Sequence, residues 1–457
     1  MSAQAKLATA LRAALAALER GDAAATTAEL DRAGRIAPAH PDLLHLRGML
    51  AMRGGKSDAA IGWFRRAVEV APRTALYWNN LGYAYRAAGD LPQAEAALMR
   101  AIALQPGYGA AHNNLGATLA SRAAYEAAAA CFETAAALAG GAGGAYEDAR
   151  FNHARAMLCL GRFERGWDDH RFRASRPGAL EHQRLPTDLS GMRLGLRGEQ
   201  GIGDQIFFLR FARLAAARGA ELGFSGDPRL AGMLARAGIP PLQAAADRTL
   251  AVGDLPWALG CGDHDIPDPL RLPPLPERLR EAMALIADLP RPVTGVAWRA
   301  GGVKGGDDTT KLVDPGRLGR ALRAVGGTVV SVQRAARPDE QTAFAQGLGA
   351  SVRDFSAVNG DLEAALALMA TLDFLAGVSS ANVHLRCGVG RDSDILVPFP
   401  MDWRWRGAAD GGPPWYPGCS AYRQGSDGDW DRPLAALERS LAARAGAARA
   451  ARMDPTA

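Results

Sequence analysis

Small and bulky apolar residues recur along the first third of the chain at helical spacings, and the pattern itself repeats. Gly48, Gly82 and Gly116 stand 34 residues apart, as do Pro38, Pro72 and Pro106, Ala60, Ala94 and Ala128, and the bulky set Phe64, Leu98 and Phe132. A period of this length predicts one helix–turn–helix unit per copy. In the middle copy, residues 78–106, Gly82 and Ala94 are small where two antiparallel helices must touch. Trp78, Leu81, Tyr85 and Leu98 fill the core around them, and Gly89-Asp90 supplies the turn. One such pair cannot bury its own apolar face, so the copies are expected to stack into a solenoid with a concave surface. A weak first copy ends at Pro38, three well-formed copies follow, and a degenerate fifth lies around residues 150–167, after a loop at 139–146.

Beyond Trp167 the period fades, and the solenoid is assigned to residues 1–175 with a linker at 176–190. From Met192 short apolar runs alternate with helical patterns, which predicts parallel βαβ units. Residues 193–197 and 221–226 read as strands flanking a Gly-rich turn (198–205) and a helix (206–219). A Pro-rich stretch from Pro267 to Pro292 separates this unit from a second, with strands at 294–299, 328–334, 374–379 and 394–400. If these strands are parallel, the loops that follow them open on one carboxyl rim, where ligands bind in open α/β sheets.

Composition narrows the function classes. At roughly 100–200 residues per domain, 457 residues predict two to four domains. Fifty-three basic against 48 acidic side chains, without a clustered excess, argue against nucleic-acid binding. The five cysteines form no CxxC or Cys/His cluster, so neither a metal site nor a disulfide framework is implied. With no apolar run long enough to span a membrane and no signal-peptide pattern, a soluble, cytoplasmic protein is expected.

Candidate chemistry lies on the predicted rim. The turn GEQGIGDQ, with Gly201, Gly203, Asp204 and Gln205, turns backbone N–H groups and a helix terminus toward an anion or an acceptor hydroxyl. It is not a dinucleotide fingerprint, because Ile206 stands where the third glycine belongs. Asp204 reads equally as a helix N-cap. The loop at 299–311 gathers Arg299, Lys304 and Lys311 among glycines, a set suited to a diphosphate, and Lys304 and Lys311 are two of only four lysines in the chain. Ser380 and Asn382 stand at a helix start with His384 one turn in. Trp403, Trp405, Trp415 and Tyr416 either stack on a base or sugar or cover the sheet end. In the repeats, Asn79, Asn80, Asn113 and Asn114 offer amides to an extended peptide backbone.

The middle repeat matches the tetratricopeptide pattern. With GEQGIGDQIFF, the GVAW strand and its basic loop, VSSANVHL and PFPMDWRW followed by WYP, the whole chain resembles tetratricopeptide repeats fused to a heptosyltransferase-like (family 9-like) glycosyltransferase of the GT-B class. The resemblance implies two Rossmann-like domains, an acceptor side at 191–290 and a nucleotide-sugar donor side at 291–445, with a disordered tail at 446–457. It implies a metal-independent transfer with no cofactor beyond the nucleotide-sugar co-substrate. By motif, Asp204 occupies the general-base position and Lys311 that of a lysine on the donor phosphates. Arg299, Lys304, Gln333, Ser379, Ser380, Asn382 and His384 fall on the donor side, Gly201, Gly203 and Gln205 in the acceptor loop, and Trp403 and Trp405 in an aromatic cleft. Ser379-Ser380 replaces the Asp-Thr pair usual in the motif. The expected function is a bacterial glycosyltransferase acting on an acceptor, a protein such as flagellin, recruited by the repeats. Two alternatives stay open: a repeat adaptor without catalysis, and a lipooligosaccharide-type glycan acceptor.

Overall fold

The repeating pattern folds into helix pairs: α1 (Ala3–Glu19) with α2 (Ala23–Ile36), α3 (Pro41–Arg53) with α4 (Ser57–Val70), α5 (Ala75–Ala87) with α6 (Leu91–Leu104), α7 (Gly109–Ser121) with α8 (Tyr125–Leu138), then α9 (Gly144–Leu160) and α10 (Phe163–His170). The computed structural model describes residues 2–176, 183–300, 311–407 and 412–453, the side chains of 448–449 and 451–453 excepted. The periodic glycines sit where the partner helix touches. A Cβ built on Gly48, Gly82 or Gly116 would lie 2.4 Å from Phe64, 2.6 Å from Leu98 or 2.7 Å from Phe132. Asp90 caps α6 by accepting from the Gln93 N–H at 3.2 Å. Gly116→Val should therefore cost about 1–2 kcal/mol by overpacking. Gly62→Ala, with nothing within 4 Å, should be neutral or stabilising by up to about 1 kcal/mol. Thermal unfolding of the two variants checks this contrast.

Two parallel sheets follow. β1 (Arg193–Arg197) lies between β2 (Glu221–Ser225) and β3 (Arg248–Ala251), with helices α11 (Ile202–Leu209), α12 (Ala212–Ala217), α13 (Ala231–Arg236) and α14 (Leu255–Ala258) between and after the strands. After α15 (Pro276–Leu285) comes a sheet ordered β6-β5-β4-β7-β8-β9, parallel at every pairing. Its strands are β4 (Val293–Ala297), β5 (Thr328–Ser331), β6 (Arg353–Asp354), β7 (Phe374–Val378), β8 (Asp394–Val397) and β9 (Ser420–Arg423). The helices along it are α16 (Pro315–Leu322), α17 (Pro338–Leu348), α18 (Leu362–Thr371), α19 (Ala381–Gly388) and α20 (Asp431–Met453). β4 and β8 are buried along their whole length, as expected of parallel strands covered on both faces. In each sheet the first strand has later strands on both sides. The loops after β1 and β4 therefore lie at topological switch points.

Three boundaries differ from the sequence expectation. The chain divides into compact units at 157/158, not at 175. α10 belongs to the second unit because Phe163 and Trp167 enter its aromatic core, with Trp167 centred 6.0 Å from Phe211 and 5.5 Å from Trp403. The expected linker is anchored over its described part: Leu185 and Leu189 are buried, and their N–H groups donate to Ala258 O and Arg218 O. The expected tail continues α20 to Met453. Its Ala/Arg-rich sequence favours helix, and Leu434, Leu437, Leu441 and Ala445 bury one face just before it. The strands β3, β6 and β9 and the helix α20 were not anticipated. The first three are short, and none of them shows a long apolar run.

Candidate functional site

Loops from the carboxyl ends of both sheets enclose a cavity of about 510 Å³. Gly201, Gly203 and Asp204 reach it from the turn after β1, Asp227 and Arg229 from the turn after β2, and Arg299 and Lys311 from the segment after β4. Arg334, Asn359, Ser380 and Arg404 follow β5, β6, β7 and β8. Two helices, α11 and α19, begin at this wall. Neither has a side-chain cap, and their first turns add backbone N–H groups and the positive ends of their dipoles. The turn before α11 is held from behind. Glu199 accepts from Arg173 Nε at 2.9 Å and from Gly253 N at 3.2 Å, while Arg173 Nη1 and Arg176 Nε donate to Asp254 at 2.6 and 2.8 Å. All four charged side chains are buried, so removing one would leave an uncompensated charge.

Asp204 sits in the first turn of α11, whose N-cap is Gly201, so its side chain is not the cap and faces the cavity wall. There it pairs with Arg404. Burial would raise the Asp204 carboxyl, but the charge and hydrogen bond of Arg404 outweigh it and hold the group below the usual carboxylate range. Arg404 also grips Asp402, through Nε at 3.0 Å and Nη2 at 2.7 Å, and Lys311 Nζ approaches the same carboxylate at 3.6 Å. Despite its burial, Asp402 is held well below its ordinary value by these two cations. His384 is pushed down to about 3 by burial, then by Arg404, so its imidazole is neutral at physiological pH. Its Nδ1 shares a 2.5 Å hydrogen bond with the Tyr416 hydroxyl. A Cβ on Gly203 would lie 2.8 Å from the same ring, which explains a glycine where the turn crosses α19.

The residues expected on the rim mostly meet here, with different duties. Asp204, Arg299, Lys311, Gln333, Ser379, Ser380, Asn382, His384, Gly201 and Gly203 all line the one cavity. Lys304 lies outside the described residues. Arg299 is oriented by buried Glu340, with Nε at 3.2 Å, and by Ala335 O at 2.9 Å. Gln333 is spent on the backbone: its Oε1 accepts from Trp298 N and Arg299 N at 2.9 and 2.8 Å, and its Nε2 donates to Arg334 O at 2.8 Å. Asn382 likewise donates to Asn359 Oδ1 at 3.1 Å and Val332 O at 3.3 Å. Ser380 Oγ is buried with no hydrogen-bond partner among the described residues, an orphan polar atom beside the α19 terminus.

Three expectations are corrected. Gln205 turns inward, donating to Gln200 O at 3.3 Å, and does not line the cavity. Trp403 and Trp405 form no cleft. Trp403 meets Phe207 at 5.2 Å and Trp405 stacks on Tyr416 at 5.0 Å, because burying large rings outweighs exposing them. In the repeats the amides are spent on one another and on His45, within and across successive first helices. Asn114 donates to Asn79 at 2.9 Å, Asn79 to Asn80 at 3.0 Å and Asn152 to Asn113 at 3.1 Å, while Asn80 meets His45 at 2.6 Å. Their first role is to tie repeats together. A separate groove of about 680 Å³ in the first unit is lined by Leu30, Leu50, Trp63, Arg47 and Lys56, with none of these asparagines.

Arg404, Asp402, Asp227, Arg229 and Arg334 were missed. The signal was present: in DWRW the tryptophans and charged residues alternate, and a short turn at 403–405 sends the rings to the core and the guanidinium to the cavity.

Comparison with known proteins identifies the repeats. A tetratricopeptide-repeat family model matches residues 45–109 and 79–144. Protein FlbA of Caulobacter vibrioides is 24% identical over 331 residues, 64% of this chain and 54% of that protein. The chain thus spans about half the length of this curated relative. Among solved structures, MamA covers 36% of this chain, over 89% of its own length, at 20% identity and a TM-score of 0.32. A thermophilic TPR protein of Thermus thermophilus covers 36%, over 88% of its own length, at 22% and 0.32. The type IV pilus biogenesis factor PilW covers 36%, over 76% of its own length, at 19% and 0.33. No helix among the described residues is long and apolar enough to cross a membrane. Residues 45–144 carry tetratricopeptide repeats, which give this part of the chain a capacity for protein interaction.

Proposed function

We propose that the second unit is a glycosyltransferase that takes a nucleotide-sugar into the cavity and transfers the sugar to an acceptor, a protein held by the repeats. The observation that carries the reading is the meeting of Asp204 and Lys311 in one cavity, with Arg299 and the start of α19. Among the described residues, five cationic side chains against two carboxylates line it, and counting Glu340 and Asp402 behind them still leaves one positive charge in excess. Such a wall suits a diphosphate, whose departing charge the cations and the helix terminus would stabilise. Ser380 Oγ offers one more group to the ligand. Asp204, ionised and near the turn expected to face the acceptor, would take the hydroxyl proton as the acceptor oxygen attacks the sugar carbon and the carbon–oxygen bond to the diphosphate breaks.

Calorimetric titration with a panel of nucleoside diphosphates tests the reading. At least one should bind, and Lys311→Ala should weaken it about tenfold, the worth of one charge-assisted contact. Absence of binding by every member of the panel would reject the site. Binding without sugar release from any nucleotide-sugar would favour the adaptor alternative, for which Ser379 in place of a carboxylate is the supporting residue.

A further inference from the structure

Two carboxylates and two cations alternate through the wall of the cavity in the order Asp204, Arg404, Asp402, Lys311. Arg404 turns Nη1 to Asp204, and Nε and Nη2 to the two oxygens of Asp402. Lys311 shares Asp402 Oδ2 with Arg404, from 3.6 Å against 2.7 Å. The Lys311 side chain is 37% exposed and the Arg404 side chain 13%, so the lysine is the member an incoming ligand meets with least rearrangement. Among the described residues, the remaining titratable group that acts on Asp204 is His384, from α19, which is neutral.

When an anion draws the ammonium to itself, Asp402 keeps only the guanidinium, and its full charge then competes with Asp204 for the same five N–H donors. We infer that Asp402 and Arg404 couple the two ends of the cavity: an anion held by Lys311 loosens the Arg404–Asp204 pair and frees Asp204 to accept a proton. This rests on the reading of the cavity as a nucleotide-sugar site and adds its regulation. Arg404 is then a positioning residue, and the base gains strength only when a diphosphate is in place. Without one, the pairing that keeps Asp204 ionised also keeps it a weak acceptor. The hydroxyl proton moves to Asp204, the acceptor oxygen bonds to the sugar carbon, and the electron pair of the broken bond leaves on the diphosphate.

Full-length protein labelled at its aspartate carboxyls is titrated by NMR with and without saturating inorganic pyrophosphate, Asp204 being assigned from its missing signal in Asp204→Asn. Pyrophosphate should raise the Asp204 midpoint by about one pH unit in the wild type, the scale of one nearby charge gained or lost. In Asp402→Asn the midpoint should not respond. Pyrophosphate that binds by calorimetry yet leaves the wild-type midpoint unmoved would overturn the coupling and leave the nucleotide reading standing. An equal rise in Asp402→Asn would also overturn it, since the direct field of the anion would then suffice. Failure of pyrophosphate to bind would overturn the coupling as stated, while the nucleotide reading falls only if the nucleoside diphosphate panel also fails to bind. If Asp402→Asn does not fold, Arg404→Lys serves instead: a lysine cannot hold both carboxylates as a fork, so the response should be lost there, and its persistence would count against the coupling.

Discussion

Asp204→Asn should lower sugar transfer by roughly 10²–10⁴-fold, the usual worth of a positioned general base, with nucleoside diphosphate affinity changed only a few-fold. The substitution keeps the shape of the side chain and leaves Arg404 with Asp402, so the wall should stand. The pH dependence carries a further sign. A base acts in its ionised form, and Arg404 holds Asp204 below the usual carboxylate range against the opposing push of burial. The acid limb of kcat/KM should therefore fall below that range, leaving the rate flat through neutrality. His384, already neutral, adds no limb near pH 6.5. Steady-state rates for wild type and Asp204→Asn across pH check both statements. Equal rates in the two proteins, or an acid limb near neutrality that Asp204→Asn leaves in place, would remove Asp204 from the base role.

The repeats were legible because their signal is periodic. A glycine every 34 residues opposite a bulky side chain has one simple reading, and Gly82 does meet Leu98. The parallel strands were legible where their centres are buried, since β4, β7 and β8 read as apolar runs. β9 was not, being half-buried at a sheet edge. The cavity residues were found loop by loop from the rim argument, but sequence spacing cannot say which way a side chain turns. Gln333 and Asn382 stand at the rim yet serve the backbone. Trp403 and Trp405 are attractive as stacking platforms and prove to be core. Arg404 lay between them and was passed over, because its partners are 200 residues upstream in Asp204 and two residues back in Asp402. The end of the repeat unit was misplaced for a related reason. α10 continues the helical pattern, while its Phe163 and Trp167 answer to aromatic residues more than 200 positions away in Trp403 and Trp415.

Gly347→Ala should cost about 3 kcal/mol and lower the thermal midpoint of the second unit by roughly 5 °C. α16 and α17 cross backbone to backbone. A Cβ on Gly347 would lie 2.2 Å from Gly316 O, and one on Gly319 would lie 2.4 Å from Phe344 O and 2.7 Å from Leu348 N. Alanine gains up to about 1 kcal/mol of helix propensity over glycine, so the crowding must exceed that gain for the sign to hold. It should, because the obstacle is peptide backbone and not a side chain able to swing aside. The damage should reach the cavity. α17 carries Phe344, stacked on Trp298 at 5.1 Å, and Glu340, which orients Arg299. Moving α17 outward strains both contacts, so diphosphate binding should weaken along with stability. Gly360→Ala, with nothing within 4 Å of its Cβ, is the control and should stay within about 0.5 kcal/mol of wild type. Calorimetric unfolding together with nucleotide titration of the two variants decides the matter. Full stability in Gly347→Ala would mean that the two helices can part at no cost. The close crossing would then not be what holds Arg299 in the wall.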